Sequence, residues 1–203
     1  MVELYNQGGG FMHPILILWI FGLAIGIAKV FTLFRVGVNT RKFMVGIRNA
    51  LKEGGINSAL EICENTRGPV ATILHAGLIR AKDGIEGAEK AITNAASIEM
   101  AFLERGLIWL GFIIVVAPLL GFTGTVWGMI VAFDAIKTAN DISPAIVAGG
   151  ISQALLTTLF GLIVAMTIQL FYNLSTSRID KLIIDMEEAS AELVDTLIDY
   201  KEG

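Results

Sequence analysis

The sequence predicts an all-α integral membrane protein: three transmembrane helices with long cytoplasmic helical extensions. Three observations predict it. Residues 106–133 and 142–177 contain no Asp, Glu, Lys, Arg or His, and each run exceeds the roughly 20 residues that a helix needs to cross a bilayer core. A third apolar run, residues 4–28, has only His13 and Pro14 near its start to interrupt it. The whole chain is 54% hydrophobic, with mean hydropathy +0.69, too apolar for a soluble domain of ordinary composition.

The first span is expected over residues 13–34. A cleaved signal peptide is disfavoured. The run has no basic region before it, and it ends in Lys29 and Arg35 rather than at a small-residue cleavage site. Gly22 and Gly26 form a GxxxG pair, a weak packing motif that fits contact with the second or third span. Residues 1–34 are thus the outside segment and first membrane helix.

Residues 35–105 read as a cytoplasmic helical region. Gly54-Gly55 breaks it once and Arg67-Gly68-Pro69 again. Asn57 is expected to cap a short helix with Leu60 and Ile62 on its buried side. Pro69 suits the first turn of the next helix, which Asp83-Gly84 ends. From Ile85 nothing stops a helix until Pro118, and Ala88, Ala91, Ala95, Ile98, Phe102 and Arg105 recur every three or four residues. One unbroken helix is therefore expected to run from this region into the second span.

The second and third spans, residues 107–133 and 146–172, fall within the channel-lining region of residues 106–177. Pro118 removes one backbone hydrogen bond and is expected to kink the second span. Gly121, Gly124, Gly128 and Ala132 form a stripe of small residues there. Gly150, Ala154, Thr158, Gly161 and Ala165 form one in the third span. Such stripes let membrane helices approach closely. Thr125 is expected on the packed side of its helix. Thr158 sits mid-stripe, Thr157 lies beside it, and Gln153 lies one turn from Thr157. A membrane hydroxyl ordinarily bonds its own backbone one turn back; it can also donate to and accept from a group passing in a lumen.

Residues 178–203 form a C-terminal helix. Ile179, Leu182, Met186, Ala189, Leu193 and Leu197 follow a three-four pattern with acids between them, as expected of an amphipathic extension of the third span. Lys and Arg crowd residues 29–105, whereas the loop of residues 134–141 holds only Lys137. The positive-inside rule then puts the N-terminus outside and the C-terminus in the cytoplasm.

The second and third spans offer no charged group and the first no carboxylate, so the chain cannot itself be a carboxylate proton relay. A charge at the bilayer centre is expensive and usually functional. If ions pass, the carrier comes from another molecule, with the small stripes making room for its helix. Covalent catalysis is not expected, because no nucleophile–base set or metal cluster is apparent. Cys63 is the single cysteine, so no internal disulfide can form; it reads as a small core residue. His75 has no Cys or His at metal-ligand spacing. Trp109 and Trp127 read as packing and interfacial residues. Asp134 and Asp141 flank the outer mouth, where two acids in a short loop need no special role. The net charge is −4, and nothing in the basic residues points to nucleic acid.

Pro118-Leu-Leu-Gly121 with Gly124-Thr125-Val-Trp-Gly128 resembles the second-span signature of the ExbB/TolQ/MotA proton-channel family. So does Ile151…Ala154-Leu-Leu-Thr157-Thr158…Gly161-Leu…Ala165 followed by Tyr172-Asn173, for the third span. The resemblance is closest to the ExbB/TolQ branch. It implies a homo-pentamer around single-span partners of the ExbD/TolR/MotB type, and a membrane aspartate on that partner as the ion carrier. It implies Thr125 and Thr158 as pathway residues, with Thr157 and Gln153 second, and no cofactor. It implies location in the bacterial inner membrane and conversion of ion flow to mechanical work on the envelope. The carried ion is expected to be H⁺, with Na⁺ the weaker alternative. Two departures stand out: Gln153 where many relatives have Glu, and Met166-Thr167 where many have Pro. A non-conducting scaffold for single-span partners and a flagellar-type stator subunit are the competing readings.

Overall fold

The computed structural model describes residues 2–37, 39–139 and 144–202. It is all-helical. In chain order the helices are α1 (Val2–Gln7), α2 (Met12–Val36), α3 (Thr40–Asn65), α4 (Pro69–Arg80), α5 (Ile85–Glu104), α6 (Leu107–Ala139) and α7 (Pro144–Glu202). A short 3-10 turn, Ala81–Asp83, joins α4 to α5. Among the described residues, three helices are long and apolar enough to cross a membrane: the first span lies in α2, the second in α6 and the third in α7. Their windows are mostly open, and large side chains such as Ile17, Phe31, Ile108, Phe122 and Leu155 are more than half exposed. Surface this apolar is what lipid, rather than water, covers.

Two compact units result. The first takes residues 1–29 and 106–174; the second takes 30–105 and 175–203. In the first, Ile15, Leu110, Ile113, Ala117, Val164 and Ile168 form the buried core, with Leu18, Trp19, Leu120 and Phe160 packed around them. The Gly22–Gly26 pair supports this packing. A Cβ on Gly22 would lie 2.7 Å from Ile168 and 3.1 Å from Ile113, and one on Gly26 would lie 2.9 Å from Phe171. The motif thus meets both other spans.

The second unit is built on amphipathic faces. Ile179, Leu182, Met186, Ala189, Leu193 and Leu197 on α7 are all buried, as their spacing predicts. Asn39 caps α3 by accepting the Lys42 amide at 3.2 Å. Pro69 opens α4 after Gly68, whose φ is 134°. Gly77 lets α4 meet α5, since a Cβ there would lie 2.5 Å from Ile92.

The structure corrects three expectations. The helix from Ile85 does not run unbroken to Pro118. It stops at Glu104, and Gly106 takes φ +95°, a left-handed conformation that glycine adopts without steric cost. The buried face of α5 is Ala88, Ile92 and Leu103, with Ile98 and Phe102 exposed. Asn57 caps nothing. Gly55, whose φ of 72° and ψ of −164° are non-helical, divides α3 as the sequence predicts, and Asn57 lies inside the second stretch, with Ala59 and Cys63 buried and Leu60 and Ile62 only half-buried. Finally, α6 runs on to Ala139, so Asp134 and Lys137 sit on its last turns. Residues 134–139 contain no helix breaker, and the Thr138 hydroxyl donates to the Asp134 carbonyl at 2.8 Å. Asp141 lies outside the described residues. Pro118 is accommodated inside α6.

Candidate functional site

The charge-free spans of α6 and α7 pack on each other through their small residues. A Cβ on Gly121 would lie 2.8 Å from the Thr157 carbonyl oxygen and 2.9 Å from the Thr158 Cα. One on Gly124 would lie 2.5 Å from the Thr157 hydroxyl, one on Gly128 3.2 Å from the Ala154 Cβ, and one on Gly161 2.6 Å from the Ala117 carbonyl oxygen. As the α6 number rises from 117 to 128 the facing α7 number falls from 161 to 154, so the pair is antiparallel. The small stripes are therefore filled by each other within one chain. They do not stand open for a foreign helix, because bare backbones gain most by closing on each other. Ala165 lies further along α7 and is half-buried.

Thr157 is the polar centre of this seam. It is 1% exposed, and its hydroxyl is shared between the Ala154 carbonyl at 2.7 Å and the Gly121 carbonyl at 3.2 Å. Residue order alone ranks Thr157 below its neighbour; the structure gives it the buried helix-to-helix bond. Thr125 is half-buried, off the tight seam where it was expected, and its hydroxyl donates to its own Phe122 carbonyl at 2.5 Å. The Thr158 hydroxyl is enclosed and has no hydrogen-bond partner. An enclosed polar group left unsatisfied costs about 1–3 kcal/mol.

The antiparallel register relates these threonines. Gly124 meets Thr157 across the seam, and Thr125 and Thr158 each follow by one residue. One step turns a helix by about 100°. An antiparallel pair has an approximate two-fold axis across it, so the residue after each contact turns to the same side. Thr125 and Thr158 thus share a level and a side. The residue before each contact turns to the other side: Trp127 before Gly128, Gln153 before Ala154. On that side the segment leading into α2 packs against the pair, while Trp127 stays half exposed. A Cβ on Gly9 would run into the Gln153 amide, and Phe11 packs on Trp127 with ring centroids 6.4 Å apart. The structure therefore separates Gln153 from the two threonines. The Gly8-Gly9-Gly10 run was the sequence signal for this close approach. Gly9 has φ +71°, and the turn it makes brings the chain down onto Gln153.

Trp109 stacks edge-on with Phe21 and with Phe112, each at 6.2 Å. His75 faces Glu64 at 3.4 Å. No group of three or more His, Cys, Asp and Glu that could hold a metal occurs among the described residues.

A profile of the MotA/TolQ/ExbB proton channel family matches residues 65–188, a range that takes in most of α6 and α7, including the seam just described. The chain belongs to the MotA/TolQ/ExbB proton channel family. Among its relatives, the putative biopolymer transport protein ExbB homolog of Methanothermobacter thermautotrophicus is 32% identical over 181 residues, 89% of this chain and 64% of that protein. The Tol-Pal system protein TolQ of Haemophilus influenzae is 34% identical over 96 residues, 47% of this chain and 42% of that protein. The biopolymer transport protein ExbB of Salmonella typhimurium is 31% identical over 93 residues, 46% of this chain and 38% of that protein. The chain thus spans less than two thirds of the length of each of these relatives. The MotA/TolQ/ExbB family is one of membrane channels, not enzymes.

Proposed function

We propose that this chain is the channel-ring subunit of an ion-driven membrane motor, with H⁺ as the carried ion. Copies form a homo-pentamer around single-span partner helices of the ExbD/TolR/MotB type, and a membrane aspartate on the partner carries the proton. Ion flow becomes mechanical work on the cell envelope. The N-terminus lies outside and the C-terminus in the cytoplasm of the bacterial inner membrane, following the excess of Lys and Arg in residues 29–105.

One observation carries this reading: the enclosed, partnerless Thr158 hydroxyl, level with Thr125 on one side of a helix pair that holds no charge of its own. Once the Thr158 side chain rotates out of its enclosure, a deprotonated carboxylate arriving on another helix would find a hydrogen-bond donor there. A membrane potential supplies about 2.3 kcal/mol per charge per 100 mV, comparable with a few hydrogen bonds at about 1 kcal/mol each. A small polar rearrangement per ion is enough to couple flow to movement. Thr157 is held by the seam and serves it structurally, and Gln153 stands on the other side of the pair. Neither is assigned a direct role in the ion path.

The test is Thr158→Val beside Thr158→Ser. Valine keeps the shape and removes the hydroxyl; serine keeps the hydroxyl. We expect proton flux through the complex to fall by at least tenfold, about 1.4 kcal/mol or more, in the valine variant and to recover in the serine variant. Partner co-purification should be unchanged in both. Full flux in the valine variant would instead favour a non-conducting scaffold that merely gathers single-span partners.

A further inference from the structure

The corner where α2 ends and α3 begins meets α7 at the edge of the membrane, and it gathers donors that the fold leaves unmatched. Arg178 is the first charged residue after the charge-free run 142–177. Its guanidinium lies over the Phe34 ring, with Cζ 5.3 Å from the centroid. Gly37 lets the chain pass close by, since a Cβ there would run into the same guanidinium. The ring attracts the cation but accepts none of its in-plane N–H bonds. The Arg178 Nε is enclosed and has no hydrogen-bond partner.

Two hydroxyls share that condition. Ser175 lies one turn before Arg178, about 60° away around the helix. It is 0% exposed, and its hydroxyl has no partner. Elsewhere on α7, the Thr167, Ser190 and Thr196 hydroxyls each donate to the carbonyl four residues back, the usual resort of a helical hydroxyl. Thr40, the first residue of α3 and three beyond Gly37, also has an enclosed hydroxyl without a partner. Donors left this way are costly unless something supplies an acceptor.

The charge around the corner has one sign. Residues 4–52 contain no Asp or Glu, whereas Lys29, Arg35, Arg41, Lys42, Arg48 and Lys52 all fall within residues 29–52. Arg48 pairs with Glu192 further along α3; Arg35, Arg41 and Lys42 are exposed. Asp180 stands about 200° around α7 from Arg178, on another side.

We propose that this corner binds the phosphate group of an anionic membrane lipid. Arg178 presents its N–H edge to the phosphate oxygens, the planar fork that suits them. Thr40 and Ser175 donate to the same group once their side chains rotate out of enclosure, and Arg35, Arg41 and Lys42 attract the headgroup's charge. A lipid fits better than a free anion because α2 and α7 both leave the bilayer here, where headgroups lie. Phe31 and Phe34, 67% and 61% exposed, offer the acyl chains an apolar surface beside the phosphate. An excess of cations next to a span needs no ligand; the unmatched donors behind them do. This inference stands apart from the ring and the ion flow proposed above.

The experiment adds phosphatidylglycerol, phosphatidylcholine or inorganic phosphate to the full-length chain in mild detergent. Native mass spectrometry reads what stays bound. Phosphatidylglycerol should be retained about tenfold better than phosphatidylcholine, and excess inorganic phosphate should not displace it. Arg178→Gln should cut that retention about tenfold, and Arg178→Lys, which keeps the charge and loses the fork, should fall between. Lys137→Gln, which removes a cation elsewhere, should leave it unchanged. Circular dichroism checks that the variants remain helical, and the wild-type preference between the two lipids tests the site even if Arg178→Gln does not fold. Equal retention of both lipids, or retention unmoved by Arg178→Gln in a folded chain, would overturn the proposal. Displacement of the lipid by inorganic phosphate would reassign the corner to a soluble anion and overturn it as well.

Discussion

Adjacent threonines have different fates because one residue turns a helix by about 100°. Thr157 faces the seam and spends its hydroxyl on the Ala154 and Gly121 carbonyls. Thr158 turns out of the seam and keeps an enclosed hydroxyl with nothing to bond. The sequence suggested hydroxyls in a neutral membrane pair, but it could not decide which threonine closes the seam. That depends on which α6 glycine faces which α7 residue, information that is absent from either stripe alone. Cys63 was read as a core residue, and it is buried on α3. Burial first, and the nearby Glu64 second, push its thiol from 9.0 up to about 12. Folding therefore favours the protonated thiol. This contribution to stability is complete below about pH 9 and is lost as pH rises toward 12. At pH 8 the native protein should resist maleimide labelling, and denaturation should make Cys63 fully reactive. Rapid labelling of the native chain would show that its core opens easily.

At the scale of elements, glycine acts in two different ways. In α6, Gly124 is there for lack of space: its Cβ would sit 2.5 Å from the Thr157 hydroxyl. Gly124→Ala should push the helices apart and cost about 1–3 kcal/mol as an overpacked contact, read as a lower midpoint in detergent unfolding. Gly106 is there for its backbone: the nearest atom to a Cβ would be 3.9 Å away, yet φ is +95°. Gly106→Ala should cost about 1–3 kcal/mol through strain alone, in the same assay and with no change in partner binding. The amphipathic half of α7 was readable at the level of single residues, because a three-four pattern among acids names its buried side. The α5–α6 break was not. Residues 85–117 hold good helix formers and no proline, and a single glycine inside such a run is usually compatible with a continuous helix. Gly55 was expected as a breaker, and its non-helical backbone (φ 72°, ψ −164°) divides α3 there.

At the scale of the molecule, the three spans were plain from length and absence of charge, since crossing a bilayer tolerates few alternatives. The pairing of the small stripes with each other was not, because an antiparallel hairpin and two separate docking grooves use the same residues. Closing the stripes within one chain moves the expected partner site. On the proposed reading it falls on the side of the pair that Thr125 and Thr158 share, not in the seam between the helices. Gln153 and the turn at Gly9 pack together on the other side, where Trp127 stays half exposed. A chain so arranged supplies a wall and hydroxyls but no mobile charge, so it should be silent to protons until its partner arrives. Proton flux into liposomes, driven by a membrane potential, tests this most directly. The purified chain alone should leak no faster than lipid, and adding the single-span partner should open a flux that Thr158→Val abolishes. A full-rate proton current from this chain without any partner would contradict the account.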